Sequence, residues 1–157
     1  MRAKRWAVVT TAVLGAVVLG GCDGAGEADA APQGSPTVAE ADAAAAEDVA
    51  ACTAYGDVLT IVENADLSLA DGRMDAQEHD GWYRLVTRGL DRLPSDADTA
   101  VQTAIGELQE VAPALPPGAF AESTGVHSPE WDDAEGDLGG ACDDVDAPLT
   151  ITMFTGG

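Results

Sequence analysis

Apolar residues recur at intervals of three and four in four separate runs, and this periodicity constrains the fold of the chain more than any other feature. The spacing places apolar side chains along one face of an α-helix, which must then be buried against other helices. The sequence therefore predicts an all-α domain over residues 41–157. Its apolar faces contain Val49, Cys52, Tyr55, Leu59, Val62 and Leu69; Trp82, Leu85, Val86, Gly89, Leu90 and Leu93; Val101, Ala104, Ile105, Leu108, Val111, Ala112 and Leu115; and Trp131, Ala134, Leu138, Cys142 and Val145.

The predicted helices begin and end at residues with known capping properties. Gly72 ends the first helix, because glycine readily takes the left-handed conformation that follows a helix. Asp75 and Glu78 have the spacing of a capping box at the start of the second helix, and Ser128 precedes a proline at the start of the fourth. Because the connecting turns are short, we expect an up-down-up-down four-helix bundle.

The third and fourth predicted helices contain residues that disfavour a helix. Residues 95–98 are expected to cap the third, and Pro113 falls in its last turn. Gly136, Gly139 and Gly140 each weaken the fourth by about 1 kcal/mol relative to alanine, so a break midway along it is one expectation.

The last residues alternate between apolar and polar side chains from Leu149 to Phe154, as a strand would. A single strand has no partner strand, so we expect this tail to lie extended in a groove of the bundle. Phe120, Met153 and Phe154 either seal the ends of the bundle or contact a partner.

The first 22 residues have the parts of a secretory signal peptide in the usual order: a basic start with Arg2, Lys4 and Arg5, an uncharged apolar run, and small residues. The sequence Leu19 to Cys22 resembles the lipobox of bacterial lipoproteins, in which signal peptidase II cuts before a cysteine that carries diacylglycerol. The resemblance implies a signal peptide over residues 1–21 and a lipid on Cys22. The chain would then be anchored at the extracytoplasmic face of the cell membrane. An uncleaved N-terminal anchor is the alternative.

Residues 22–40 follow this leader and are rich in glycine, alanine, proline and acidic residues. Such a composition cannot form a core, so it predicts a disordered acidic tether. With Cys22 assigned to the lipid, Cys52 and Cys142 remain as a pair in an oxidising compartment. We therefore expect one disulfide between them, and the bundle topology independently places them at the same end.

The net charge of −21 excludes several classes of partner. Removal of the three basic leader residues leaves 28 acidic residues against four arginines, a net charge of −24. This charge repels phosphate backbones and anionic lipid headgroups, so nucleic acid is not an expected partner. Solubility explains the charge in one interpretation, and a basic partner or a divalent cation explains it in the other.

Asp71, Asp75 and Glu78 are weak candidates for a calcium site. They surround Gly72 in a segment that resembles the second half of an EF-hand loop. The two earliest ligand positions, however, fall on Leu67 and Leu69, whose side chains cannot bind calcium. A turn between two helices is the alternative interpretation.

Arg84, Arg88 and Arg92 are spaced by four on the second predicted helix and form its positive stripe. Ion pairs with Asp91, Glu107 or Glu110 are one interpretation, and a groove for an anion or an acidic peptide is the other.

His79 and His127 are the two histidines of the chain. His79 follows Asp75 by four residues, a spacing at which two helical side chains could share a metal, but two ligands do not hold one, so His79 is expected to be a lone exposed side chain. The sequence contains no nucleophile elbow, phosphate-binding loop or dinucleotide motif, so we predict neither an enzyme nor a cofactor.

The leader, the tether, the small helical domain and the cysteine pair together resemble the small lipoproteins of high-GC actinobacteria. That resemblance brings no catalytic residues with it. It leads us to expect a monomeric, membrane-tethered binding module that faces the cell wall and contacts a cell-envelope protein. A weak calcium-binding protein is the alternative.

Overall fold

The computed structural model describes residues 37–119 and 123–154. Within these ranges the chain forms α1 (Val38–Ala70), α2 (Ala76–Leu90), α3 (Ala100–Val111) and α4 (Pro129–Asp144), and no β-strand. The predicted all-α fold with four helices is therefore confirmed. The predictions for the signal peptide, for Cys22, for most of the tether and for Phe120 lie outside the described residues.

The first helix begins at Val38, three residues before the predicted start of the domain. Thr37 and Glu40 form a capping box, in which the backbone N–H of Thr37 donates to Glu40 Oε2 at 2.7 Å. This cap lies in the segment whose composition indicates a tether, which explains the difference. α1 has 33 residues and is therefore about 50 Å long, and its first buried residue is Asp48. None of the helices in the described ranges is both long enough and apolar enough to cross a membrane.

Contacts between the helices give the direction of each one. Asp66, late in α1, binds His79 near the start of α2, and Val58, earlier in α1, lies beside Gly89 near the end of α2. α2 is therefore antiparallel to α1. Asp66, near the end of α1, also binds His127, which lies just before α4. Cys52, earlier in α1, is bonded to Cys142 near the end of α4.

α4 is consequently antiparallel to α1 as well. The residue before α3, Thr99, donates its hydroxyl to Asp48 Oδ1 at 2.8 Å, at the end of the bundle where the buried part of α1 begins. α3 thus starts where α1 enters the bundle, and the four helices alternate in direction as predicted, although the connection from Val111 to Pro129 is long and not a short turn.

The core lies between the four helices and is closed by one disulfide. Tyr55 of α1 and Trp131 of α4 are fully buried, with ring centroids 6.5 Å apart. The Sγ atoms of Cys52 and Cys142 are 2.04 Å apart, so the predicted disulfide is confirmed. It links residues 90 positions apart and contributes roughly 4–5 kcal/mol in the chain-entropy description of cross-links.

Three residues predicted for the core are exposed instead: Val49, Leu69 and Trp82. The buried position near Val49 belongs to Asp48, because its carboxylate accepts the hydroxyl of Thr99 at the start of α3. Leu69 lies in the last turn of α1, before α2 begins, and Trp82 lies beside an apolar cavity rather than in the core.

Helices α3 and α4 also differ from the prediction in detail. α3 is capped by Thr99, whose hydroxyl accepts from the backbone N–H of Gln102, and it ends before Pro113. α4 is continuous over Pro129–Asp144 in spite of its glycines, because Trp131, Leu138 and Cys142 anchor it in the core along its length. Ser128 caps α4 as predicted, accepting from Trp131 N.

Candidate functional site

The C-terminal tail lies extended along the outside of α1, as expected from its alternating sequence. Three hydrogen bonds join main-chain atoms of the tail to side chains spaced by four on the helix. Thr152 N donates to Thr60 Oγ1 at 3.1 Å. Asn64 binds on both sides, because its Nδ2 donates to Thr152 O at 2.7 Å while its Oδ1 accepts from Phe154 N at 2.6 Å.

Gly56 allows the tail to approach the backbone of α1. A Cβ atom at this position would lie 2.8 Å from Thr150 O, which is closer than real contacts permit. The residues Gly56, Thr60 and Asn64 therefore form one stripe, which we call the α1 stripe, with a glycine where the tail comes closest and hydrogen-bonding groups one and two turns later.

An apolar cavity of about 190 Å³ continues this surface between α1 and α2. We call it the α1–α2 cavity, and it is lined by Thr60, Ile61, Asn64, Ala65, Ser68, Met74, Trp82 and Phe154. Trp82 is 39 % exposed and Phe154 is 64 % exposed. Two large aromatic side chains therefore flank an open apolar cavity at the surface of a strongly acidic domain.

On another part of α1, the carboxylate of Asp66 binds two histidines and a tyrosine. His79 Nε2 and the hydroxyl of Tyr83, one turn apart on α2, both lie 2.6 Å from Asp66 Oδ1. His127 Nε2 lies 2.8 Å from Asp66 Oδ2. The side chains of His79 and His127 are 16 % and 41 % exposed. The prediction that His79 is a lone exposed side chain is therefore wrong.

The rings around Asp66 also contact one another. The centroids of His79 and Tyr83 are 4.2 Å apart, and those of Tyr83 and His127 are 6.0 Å apart. His127 has a left-handed backbone with φ of 59°, which is uncommon for a residue other than glycine. This conformation places the imidazole against α1 immediately before the N-cap of α4.

The electrostatics of the cluster favour an ionised aspartate and a neutral tyrosine. Burial alone would raise the pKa of Asp66, but hydrogen bonds from Tyr83, His79 and His127 outweigh burial and hold this pKa below its ordinary value. Burial, together with the hydrogen bond to Asp66 and its charge, raises the pKa of Tyr83. Nearby, burial raises the pKa of Glu135, although a hydrogen bond from Trp131 opposes that effect.

Both oxygens of Asp66 are occupied, so this carboxylate joins three parts of the fold. In the described ranges no Cα atom of α2 lies within 8 Å of a Cα atom of α4, whereas α1 approaches each of them that closely. Asp66 thus links α2, through His79 and Tyr83, to the segment that leads into α4, through His127. We call Asp66, His79, Tyr83 and His127 the Asp66 cluster.

The weak calcium candidates have structural partners. Asp71 pairs with Arg73 at 3.0 Å, and Asp75 Oδ1 accepts from the backbone N–H of Glu78 at 2.8 Å as the N-cap of α2. Among the described residues, no group of three histidine, cysteine, aspartate or glutamate side chains is arranged to hold a metal ion.

The three arginines of the predicted stripe differ in their contacts. Arg84 donates to Asp80 at 2.8 Å and to the backbone carbonyl of Ala119 at 2.7 Å. In the part of the chain that the structure describes, no carboxylate lies within 4.0 Å of Arg88 or Arg92. The expected pairs with Asp91, Glu107 and Glu110 are therefore not formed, and an anion groove stays a prediction.

Comparison with protein-family models, with curated proteins and with solved structures finds no match to this chain. The interpretation of its surfaces therefore depends on their geometry alone. Neither the α1 stripe nor the Asp66 cluster is predicted by the sequence pattern. The four-residue spacing of His79 and Tyr83 and of Thr60 and Asn64 was a signal for each, but the partners lie far away in the sequence.

Proposed function

We propose that this protein is a monomeric extracytoplasmic binding module, tethered to the cell membrane by a lipid on Cys22, that uses the α1–α2 cavity to hold a partner in the cell envelope. The observation that carries this proposal is the open cavity of about 190 Å³ with Trp82 at its edge. Open apolar surface on an otherwise charged protein is typical of an interaction site.

The charge of the chain supports a partner with a basic surface. The segment after Cys22 contains 28 acidic residues and four arginines, so its net field attracts cations and repels anions. The cavity supplies the complementary short-range contact, since its lining is dominated by apolar side chains such as Ile61, Met74 and Trp82. The partner we propose is therefore a basic envelope protein that inserts an apolar side chain.

Site-specific photocrosslinking in intact cells tests the proposal. A photoreactive phenylalanine analogue replaces Trp82 at the cavity, and in a matched control it replaces Thr103, which is exposed on α3. We expect a discrete crosslinked product from position 82 and none from position 103. Equal products from both positions, or none from position 82, would contradict the proposed use of the cavity.

Membrane fractionation tests the anchor separately. We expect the full chain to sediment with membranes and the Cys22→Ala variant to be released, because a thioether-linked lipid needs the thiol. Recovery of both forms in the same soluble fraction would contradict lipid anchoring, whatever the crosslinking result.

A further inference from the structure

We infer that the α1 stripe is a binding site for an extended peptide, that the tail Thr150–Phe154 occupies it within the same chain, and that an extended segment of a basic partner displaces the tail. This inference rests on the proposed function, because it names the class of ligand that the binding module takes. The contacts that carry it are those of Gly56, Thr60 and Asn64 with the tail.

The α1 stripe recognises main-chain atoms of the tail. Asn64 binds the carbonyl of Thr152 and the N–H of Phe154, so it spans the same groups that a neighbouring strand would bind in a sheet. Thr60 accepts the N–H of Thr152. Because none of these contacts involves a tail side chain, another extended segment could make them, provided that proline is absent at the two donating positions.

The tail satisfies these main-chain contacts but fills the neighbouring cavity poorly. Phe154 lines the α1–α2 cavity and is nevertheless 64 % exposed, and about 190 Å³ remains open beside it. A segment with a larger or better oriented apolar side chain at the position of Phe154 would bury more apolar surface at the same main-chain register. The structure therefore leaves room for a ligand that binds better than the tail.

The tail can leave the α1 stripe without disturbing the core. Every residue from Thr150 to Phe154 is exposed, whereas Leu149 is partly buried and packs against the core. Displacement therefore breaks exposed contacts only, and the chain up to Leu149 stays in place. Regions with exposed hydrogen bonds and little buried apolar surface open first in folded proteins.

The charge of the domain selects among extended segments. Asp57, next to Gly56, is exposed, and the segment after Cys22 carries a net charge of −24. An extended segment with lysine or arginine beside its apolar residue is therefore favoured over an acidic one. The occupant is therefore a separate basic protein, because a second copy of this chain would bring an equal negative charge.

Peptide binding to purified protein tests the inference. The probe is a fluorescently labelled peptide with the sequence of residues 148–157, and a second probe carries Thr152→Pro. We expect the first probe to bind a variant that lacks residues 150–157 at least tenfold more tightly than the full chain, since the attached tail competes at high effective concentration. The Thr152→Pro probe, which lacks one donated N–H, should bind at least tenfold more weakly.

Two glycine substitutions in the shortened variant provide a matched pair. Gly56→Ala should weaken peptide binding at least tenfold, because its Cβ meets the position of Thr150 O. Gly136→Ala makes the same change on α4, where nothing lies within 4 Å, and should leave binding unchanged. Equal binding to these two variants would overturn the inference.

A full-length variant covers the case in which the shortened chain does not fold. Thr152→Pro in the full chain weakens the attached tail and leaves the α1 stripe intact, so it should bind the first probe more tightly than the unmodified chain. No binding to either variant overturns the inference. A dimer of the full chain with exchanged tails, seen as a doubled mass, overturns the assignment to a separate partner.

The two proposals fail in different ways. A crosslink from position 82 in cells without peptide binding by purified protein overturns this inference and keeps the proposed function. Peptide binding without a crosslink supports the α1 stripe as a peptide site and overturns the proposed function.

Discussion

Asn64 and Asp66 stand two residues apart on α1, and each binds a segment that is distant in the sequence. Asp66 binds three side chains, two from α2 and that of His127 before the N-cap of α4, through hydrogen bonds of 2.6–2.8 Å, and its cluster is half-buried. Asn64 holds main-chain atoms of a tail that is exposed throughout. The same helix therefore fixes the bundle through one side chain and presents a removable segment through another.

The two side chains differ in the groups that would lose a hydrogen-bond partner if each were removed. Loss of the Asp66 carboxylate leaves two imidazoles and a phenol without their hydrogen-bond partner in a half-buried cluster, where unpaired polar groups lower stability. Loss of the Asn64 amide leaves exposed N–H and carbonyl groups of the tail, which water satisfies at little cost.

Asp66→Ala should give the largest loss of stability. The substitution removes three hydrogen bonds to an ionised group, and we expect the free energy of unfolding to fall by about 2–4 kcal/mol. Urea unfolding followed by circular dichroism should show a lower midpoint with an unchanged slope. Asp71→Ala, which removes an exposed ion pair with Arg73, is the control and should change stability by no more than about 0.5 kcal/mol.

The contribution of Asp66 should depend on pH in a defined direction. Its pKa is lowered by folding, so the unfolded chain binds more protons in acid, and stability falls as the pH drops below about 4 toward the folded value. The stability difference between the unmodified chain and Asp66→Asn should therefore shrink between pH 6 and pH 2.5. A constant difference over that range would show that the carboxylate charge contributes nothing.

Tyr83→Phe should cost about 1 kcal/mol at neutral pH, because one hydrogen bond to Asp66 is lost. Folding raises the pKa of Tyr83, so the folded phenol keeps its proton where the unfolded one loses it, and the unmodified chain loses stability as the pH rises above about 10. The Tyr83→Phe variant should lose less stability over the same alkaline range. Identical alkaline unfolding curves would contradict the assigned contact.

Asn64→Ala should have the smallest effect on global stability, about 0.5–1 kcal/mol or less, because its partners are exposed. The variant should nevertheless release the tail, and NMR spectra should show the amide signals of residues 150–154 moving to random-coil positions. Signals of Cys52 and Trp131 should not move. A cooperative loss of core signals would mean that the tail is part of the bundle core.

The sequence predicted the fold from features that are local. Periodicity found the four helices, Gly72 and Ser128 located helix ends, and Cys52 and Cys142 paired as the topology required. The error at Val49 arose because a polar contact decided which side chain is buried. Asp48 is inside and Val49 outside because of a hydroxyl on Thr99, and no local pattern contains that bond.

The candidate sites could be predicted only in part. The alternation from Leu149 to Phe154 predicted an extended tail in a groove, but Asn64 is an ordinary polar residue in the sequence of α1. His127 lies 61 residues from Asp66 and has a left-handed backbone conformation that the neighbouring sequence does not predict. Such sites form where segments distant in the sequence come together. The directions of the helices predict which turns lie side by side, but they do not predict which side chains form a hydrogen bond.

Residue-by-residue hydrogen exchange on the full chain most directly tests whether the tail on the α1 stripe opens while the core of α1 stays closed. The account predicts that the amides of Thr152 and Phe154 exchange through a local opening, at least a hundredfold faster than the core amides of α1 around Val62, while the chain remains folded. Exchange of these tail amides at the same rate as the core would mean that the tail opens only by global unfolding. That result would contradict a removable segment on the α1 stripe.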